Sequence, residues 1–269
     1  MAESALLAEK DGHVLTVTIN RPEKKNAVNA EVLCGLNDAW HRLDAEGDLR
    51  VAILTGAGGN FCAGMDLGVI NKLTSGRPPE DEFEERMAKD MSIIFNGWLK
   101  TYRPTKPVIA AVEGFALAGG TEILQGTDIR VAAESAVFGV TEVQRGLFPM
   151  AGSTVRLPRQ VPYTLALELL LTGDSFTAAQ CREMGLVGRV VPDGQALQVA
   201  GEIAARIASN GPLAVQAILK AVRETAQMPE KDAFEQKEMA IGIPIYSSED
   251  AKEGPRAFLE KRKPVFTGR

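Results

Sequence analysis

The sequence predicts an α/β fold with a helical C-terminal part. Short apolar segments with strand character alternate with helical segments up to about residue 192, and mainly helical patterns follow. Such alternation is typical of α/β proteins. The composition of the 269 residues, 45% hydrophobic and 24% charged, is close to the globular average, so the chain can bury a sizeable core.

The first elements are two strands, a helix and a third strand. The segment HVLTVTIN at residues 13–20 alternates polar and apolar side chains, and a KDG turn pairs it with the preceding ALLAE segment. Asn29 is a good N-cap for a helix over about residues 30–44, where apolar side chains recur at helical spacing. Within residues 50–67, the buried-looking strand VAIL then breaks into a glycine-rich loop.

The middle of the chain predicts one long helix and three strands. Two prolines at residues 78–79 lead into a helix start, and an apolar stripe predicts a single helix over about residues 80–102. The segments KPVIAAVEG, IRVAA and SAVFGV predict strands. Helical patterns begin near residue 163, with a short strand RVV before Pro192, and Pro212 after the C-cap signal Asn210–Gly211 suits the first position of a further helix. The last segment, which ends in AFLEKRKPVF, is also helix-like.

Charge and hydropathy exclude two classes of partner. The net charge of -5 and the pI of about 5.3 argue against nucleic-acid binding. No apolar stretch approaches the length of a membrane span, and the N-terminal residues lack the apolar region of a signal peptide. We therefore expect a cytoplasmic protein with neither a nucleic-acid nor a membrane partner.

The cysteines and histidines direct attention to the carboxylates. The three cysteines, Cys34, Cys62 and Cys181, are odd in number and far apart, which fits neither a disulfide framework nor a metal site. The two histidines, His13 and His41, lie outside the glycine-rich loops, so a histidine-based triad or metal site is not expected. If the chain is an enzyme, its proton chemistry rests on aspartate or glutamate.

Two glycine-rich loops follow strand-like segments and lead into helical segments. The first, VAILTGAGGNF, fails the dinucleotide fingerprint because Phe61 stands where the third glycine is required. It continues as FCAGMDL, and the second loop, LAGGTE, has the same order of strand, glycines and helix. Two such loops can direct two backbone N–H groups at one oxygen, as an oxyanion hole requires. Tight strand-to-helix turns without a ligand remain the alternative at this point.

Five segments resemble, in order and spacing, the motifs of the crotonase (enoyl-CoA hydratase/isomerase) superfamily over essentially the whole chain. They are VTINRPEKKNAVN, FCAGMDL, KPVIAAVEGFALAGGTEILQGTDIRVA, AVFGVTEVQRGLFP and AFLEKRKPVF. The resemblance implies a crotonase-like spiral of ββα units over residues 1–200 and a helical region over residues 201–269 for trimerisation. A homotrimer or homohexamer is expected.

The resemblance also implies the catalytic groups. The backbone N–H groups of Met65 and Gly119 would stabilise a thioester enolate, and Glu122 and Glu142 would hold and activate water. By resemblance, Glu122 activates the water and Glu142 protonates carbon 2 of the acyl group. Either glutamate alone could instead be an ordinary first-turn residue of a helix, Glu142 with Thr141 as its N-cap. Their joint presence within matching motifs favours catalysis.

Coenzyme A and substrate contacts are carried over by position. In the two loops near the N-terminus they fall on Lys24, Ala27, Ala63, Gly64, Asp66 and Leu67. Phe258 and Lys261 match C-terminal residues that often reach coenzyme A in a neighbouring subunit. No metal or other cofactor is expected, since coenzyme A is part of the substrate.

The expected reaction is hydration of a trans-2-enoyl-CoA to a 3-hydroxyacyl-CoA, in the degradation of fatty acids or related acyl chains, sterol side chains included. Two alternatives remain: a Δ3,Δ2-enoyl-CoA isomerase and a non-catalytic acyl-CoA-binding homologue. The chain departs from common hydratases at VTE, at Met150 and at Ser153. Within the variable segment of residues 70–98, Met87, Met91, Phe95 and Trp98 could line a pocket for a bulky or long acyl chain, or simply belong to the core.

Overall fold

The computed structural model describes residues 4–269, apart from the side chains of residues 73 and 74. In this part of the chain, six strands form one sheet, in the spatial order β1 (Leu6–Asp11), β2 (Val14–Ile19), β3 (Val51–Gly56), β4 (Val108–Val112), β6 (Ile129–Ala133) and β9 (Arg189–Val191). A smaller sheet has the order β5 (Phe115–Leu117), β7 (Val137–Gly139) and β8 (Phe176–Thr177). In the larger sheet β1 and β2 are antiparallel, and the other neighbours are parallel.

The helices cover the sheets and make up the C-terminal region. They are α1 (Ala30–Ala45), α2 (Leu67–Ser75), α3 (Glu82–Lys89), α4 (Ser92–Gly97), α5 (Gly119–Leu124), α6 (Ser153–Gln160), α7 (Tyr163–Thr172), α8 (Ala178–Glu183), α9 (Ala196–Ala208), α10 (Pro212–Thr225), α11 (Glu230–Ala233), α12 (Met239–Gly242) and α13 (Glu249–Leu259). Short 3-10 helices span Pro22–Lys24, Thr141–Arg145 and Ile243–Ser247, and a π-helix spans Phe234–Glu238. No helix of residues 4–269 is long and apolar enough to cross a membrane.

The predicted N-terminal elements are confirmed. The pair β1 and β2 forms the expected hairpin, in which Asp11 pairs with Val14 across the KDG turn. The side chain of Asn29 accepts a hydrogen bond from the N–H of Val32, as an N-cap does. Every residue of β4 is buried, because helices cover both faces of the larger sheet.

The single helix predicted over residues 80–102 is wrong, because the chain breaks at Asp90. Asp90 has extended backbone angles, and its carboxylate accepts a hydrogen bond from the N–H of Ser92. Two shorter helices, α3 and α4, result. The first begins at residue 82 with Asp81 as its N-cap, so the two prolines precede it by several residues.

The C-terminal region packs partly on the sheet and partly on itself. Helix α9 lies against β3, β4 and β6, so the predicted domain boundary near residue 200 falls inside a helix of the core. The sequence pattern predicted a helix-like end, but α13 ends at Leu259 and residues 260–269 contain no helix. This tail is fixed to α13 because Asp250 accepts hydrogen bonds from the N–H groups of Thr267 and Gly268. Arg50 of the core donates a hydrogen bond to the carbonyl of Phe266.

Candidate active site

A cavity of about 570 Å³ lies at the carboxyl ends of β5 and β7. Most of its wall is apolar, and its polar wall residues include Glu122, Glu142, Arg145, Asp66 and Lys24. The predicted site residues Met65 and Gly119 line the same cavity. The fold therefore brings together both predicted glutamates and both predicted backbone donors.

Main-chain hydrogen bonds join the two glycine-rich loops to the N-terminal loop. Cys62 forms a β-bridge with Ala116, which precedes the second loop, and Met65 forms a β-bridge with Val28. Gly64 has φ of +94°, in the region that favours glycine, and a Cβ at this position would lie 3.2 Å from the amide nitrogen of Gly119. This close approach brings the two loops together in the cavity wall, which both Met65 and Gly119 line.

The two amides are available to a ligand. Among the hydrogen bonds within residues 4–269, neither the N–H of Met65 nor that of Gly119 is a donor. Gly119 begins α5, whose N-terminus adds a favourable electrostatic field for negative charge. A Cβ on Gly119 would lie 2.7 Å from the Trp98 ring, so glycine allows this wall to be closely packed. The pair can stabilise an oxygen that gains negative charge.

Glu122 is held firmly inside the protein. Its side chain is only 2% exposed and lies in α5, one turn after Gly119. One carboxylate oxygen accepts a hydrogen bond of 3.1 Å from the N–H of Ala151, and the other accepts one of 3.0 Å from the N–H of Ser153. These donors fix the orientation of the carboxylate and leave part of it facing the cavity.

Glu142 lies in the 3-10 helix that follows β7 and is partly buried. Burial raises the pKa of Glu142 to about 8, and the charge of Glu122 acts in the same direction. The Oε2 atom of Glu142 is buried without a hydrogen-bond partner among the described residues. At neutral pH this carboxyl group therefore carries its proton. The expected N-cap role of Thr141 is wrong, since the 3-10 helix is capped at Val140 and Thr141 is its first residue.

The predicted coenzyme A contacts divide into two groups. Five of the contacts predicted near the N-terminus line the cavity, namely Lys24, Ala27, Ala63, Asp66 and Leu67, whereas Gly64 does not. Asp66 also caps α2 and forms a salt bridge with Arg21, which fixes the loop. Phe258 and Lys261 do not line this cavity; they lie at the end of α13, where Phe258 is 83% exposed.

The structure adds residues to the site that the sequence did not predict. The backbone N–H groups of Ala151 and Ser153 reach Glu122 from a segment about thirty residues later, and no side-chain pattern marks them. Of the four apolar candidates for the acyl pocket, Phe95 and Trp98 line the cavity. Met87 is instead part of the core, and Met91 is 52% exposed away from the cavity wall. Further apolar lining comes from Ile70, Ile94, Leu147, Phe148 and Met150.

The fold and the site together define an enoyl-CoA hydratase/isomerase, and comparison with known proteins agrees. The family profile described as enoyl-CoA hydratase/isomerase matches residues 9–269. The chain therefore belongs to this family, as its motifs predicted.

Two relatives and one solved structure show which members of the family the chain resembles. The chain is 57% identical to the enoyl-CoA hydratase EchA19 of Mycobacterium tuberculosis over 263 residues, which cover 98% of this chain and 96% of that protein. It is 36% identical to the (E)-benzylidenesuccinyl-CoA hydratase of Thauera aromatica, covering 97% and 98% of the two chains. A crystal structure of an enoyl-CoA hydratase from Mycobacterium tuberculosis H37Rv superposes with a TM-score of 0.88 at 44% identity, over 99% of this chain and 100% of that one. These similarities confirm the predicted crotonase-like fold and the predicted enzyme class, an enoyl-CoA hydratase.

Proposed function

We propose that the chain adds water to the 2,3 double bond of a trans-2-enoyl-CoA, with Glu122 as the base and Glu142 as the acid. One observation carries this assignment: a carboxylate held by two backbone N–H groups and a carboxyl group with a raised pKa share one cavity. Environments that separate two carboxyl groups in this way are typical of acid–base pairs.

The chemistry follows from these two protonation states. The Glu122 carboxylate takes a proton from water, and the resulting hydroxide forms a bond to carbon 3 of the enoyl group. The electrons of the double bond move toward the thioester oxygen, where the N–H groups of Met65 and Gly119 stabilise the negative charge. Glu142 then delivers its proton to carbon 2. Oxygen, hydrogen and charge balance, and no electron acceptor is needed, so the proposed reaction needs no redox cofactor.

The resting state is restored by one proton transfer. After the addition, Glu122 carries the proton taken from water and Glu142 has lost its own. Both carboxyl groups line the same cavity, so the proton can return from Glu122 to Glu142 within it.

The acyl group meets an apolar wall. Ile94, Phe95, Trp98, Leu147 and Phe148 line the cavity, and Phe148 is 63% exposed toward its opening. A wall of this size and polarity favours a long or bulky apolar acyl chain, as in fatty-acid or sterol side-chain degradation. A panel of enoyl-CoA substrates, from short straight chains to ring-bearing ones, tests this preference; a strict preference for the shortest chains would overturn it.

The assembly of the protein and its cellular location are proposed from the sequence. We expect a homotrimer or homohexamer in which Phe258 and Lys261 approach the coenzyme A site of a neighbouring subunit. The 83% exposure of Phe258 supports an intermolecular contact, because exposed large apolar side chains favour association. A cytoplasmic location and the absence of nucleic-acid and membrane partners remain expectations from the sequence.

The function is tested by product analysis with matched variants. Purified protein is given 2-enoyl-CoA and, separately, 3-enoyl-CoA, and the products distinguish hydratase from isomerase. Glu122→Gln and Glu142→Gln should each lower the hydration rate by about 10²–10⁴-fold, since each removes one proton-transfer group. Glu183→Gln, at an exposed glutamate of α8, serves as the control and should retain full activity. Full hydration activity in either active-site variant would overturn the two-carboxyl mechanism.

A further inference from the structure

Behind Glu122, two buried polar side chains connect the end of α5 to the start of α6. Gln125 and Ser153 are both 0% exposed, and the Nε2 atom of Gln125 donates a hydrogen bond of 2.8 Å to the Oγ atom of Ser153. Neither side chain lines the cavity. Their contact therefore acts on the substrate only through other residues.

Ser153 has two polar groups with different partners. Its backbone N–H binds the Glu122 carboxylate, while its hydroxyl group accepts from Gln125. Gln125 follows Glu122 by three positions, so both side chains leave α5 on adjacent parts of the same face. The side-chain bond thus fixes the distance between α5 and the N–H group that orients Glu122.

The backbone just before Ser153 is irregular and is held by a second hydrogen bond. Gly152 has φ of +124°, which places it outside regular helical geometry immediately before α6. On the other side of this glycine, Lys100 donates a hydrogen bond to the carbonyl of Met150. The segment is therefore held at Met150 by Lys100 and at Ser153 by Gln125, and the two N–H groups that bind Glu122 lie between these supports.

Keeping a glutamine at this position has a thermodynamic cost. The Oε1 atom of Gln125 is buried and has no hydrogen-bond partner within the described part of the chain. A buried acceptor without a partner is destabilising, and an apolar side chain of similar size would avoid the penalty. The cost is understandable if the amide is needed for its donor, which reaches Ser153.

On the basis of the proposed function, we propose that Gln125 and Ser153 are positioning residues that hold the Glu122 carboxylate in register with the water it deprotonates. The mechanism requires the carboxylate to stay aligned while it accepts and returns a proton. Misplacement of a catalytic group by a fraction of an ångström lowers the turnover rate more than it lowers substrate affinity.

The test compares kinetics and stability in four variants of the full-length chain. Gln125→Met and Ser153→Ala should each lower kcat by between about tenfold and about a hundredfold, with KM for enoyl-CoA within about twofold of wild type. Because the two residues act through one hydrogen bond, the kcat of the double variant should be no lower than that of the less active single variant. Ser153→Thr keeps the hydroxyl group and should restore most of the turnover.

The control variant is Gln160→Met. Failure of the positioning role and failure of the proposed function give different results. Gln160 donates to the backbone carbonyl of Gln125 and does not contact Ser153, so its replacement should leave kcat unchanged. Variants with a lower Tm but wild-type kcat would overturn the positioning role, as would strictly additive losses. Wild-type turnover and its loss in Glu122→Gln are measured in parallel. If the wild type did not hydrate enoyl-CoA, the proposed function would fail; normal hydration with unaffected Gln125 and Ser153 variants would overturn only the positioning role.

Discussion

Replacing Glu142 by glutamine should make the protein more stable in alkaline solution while it removes activity. Glu142 is partly buried, and its Oε2 atom has no hydrogen-bond partner among the described residues. Ionising this carboxyl group inside the folded protein is therefore unfavourable. Glutamine has nearly the same shape and stays neutral at every pH.

The size of the effect follows from the pKa. A rise in the pKa of Glu142 from 4.5 to about 8 corresponds to an upper limit of about 5 kcal/mol at about 1.4 kcal/mol per pH unit. Because Glu142 is partly exposed, water screens part of the charge, and we expect about 2 kcal/mol.

The direction in which wild-type stability changes with pH follows from proton binding to the folded and unfolded chains. Below pH 4.5 the carboxyl group is protonated in both states, so wild type and variant should be equally stable. Between pH 4.5 and about 8 the unfolded chain ionises while folded Glu142 keeps its proton, so wild-type stability falls as pH rises. Above about pH 8 the folded group ionises too, and the difference becomes constant.

The assay is thermal unfolding of wild type and Glu142→Gln from about pH 5 to about pH 9.5. The Tm of the variant should exceed that of wild type by roughly 4–8 °C at the alkaline end, given the usual conversion for a domain of this size. Glu183→Gln, at an exposed position of α8, controls for the loss of one charge. Parallel Tm curves for wild type and Glu142→Gln over the whole range would refute the reasoning.

The remaining predictions concern the site and its neighbours. The hydration kcat/KM should fall as pH rises through about 8, because Glu142 must carry the proton that it delivers, and a flat profile to about pH 9.5 would contradict this role. Gly64→Ala should lower kcat by about 10²–10³-fold by moving the amide donors, whereas Gly59→Ala, which has a similar positive φ but open space around its Cβ, should leave kcat unchanged in the same assay. Phe258→Ala and Lys261→Ala should each raise KM for enoyl-CoA by roughly fivefold, about 1 kcal/mol, with kcat retained, because the proposed contacts bind coenzyme A and not the reacting atoms.

Much of the fold could be predicted because local signals and tertiary packing agree. The alternating residues of β2 and the cap at Asn29 are local features, and both correspond to observed elements. The sequence pattern did not predict the break at Asp90, because apolar residues continue at helical spacing on both sides of it. The extended backbone of Asp90 and the hydrogen bond from the N–H of Ser92 to its carboxylate show where the first helix ends.

The residue types of the candidate site and, by resemblance, the roles of its two glutamates could be predicted from the sequence, but the contacts that support those roles could not. Matching motifs predicted that Glu122, Glu142 and the amides of Met65 and Gly119 belong together, and all four line one cavity. The different roles proposed for the two carboxyl groups depend on what surrounds each of them. Glu122 receives two backbone donors, one of them from Ser153, and such contacts between distant segments leave no residue pattern in the chain.

The two amides in the cavity wall have a consequence for how this protein can change over evolutionary time. Each donor belongs to the main chain, and among the coded amino acids only proline lacks an N–H group. Substitutions of Met65 by other residues therefore leave its donor in place while they reshape the cavity wall that its side chain lines. A lineage can thus explore new acyl groups at this position and inherit unchanged the two N–H groups that we propose stabilise the enolate.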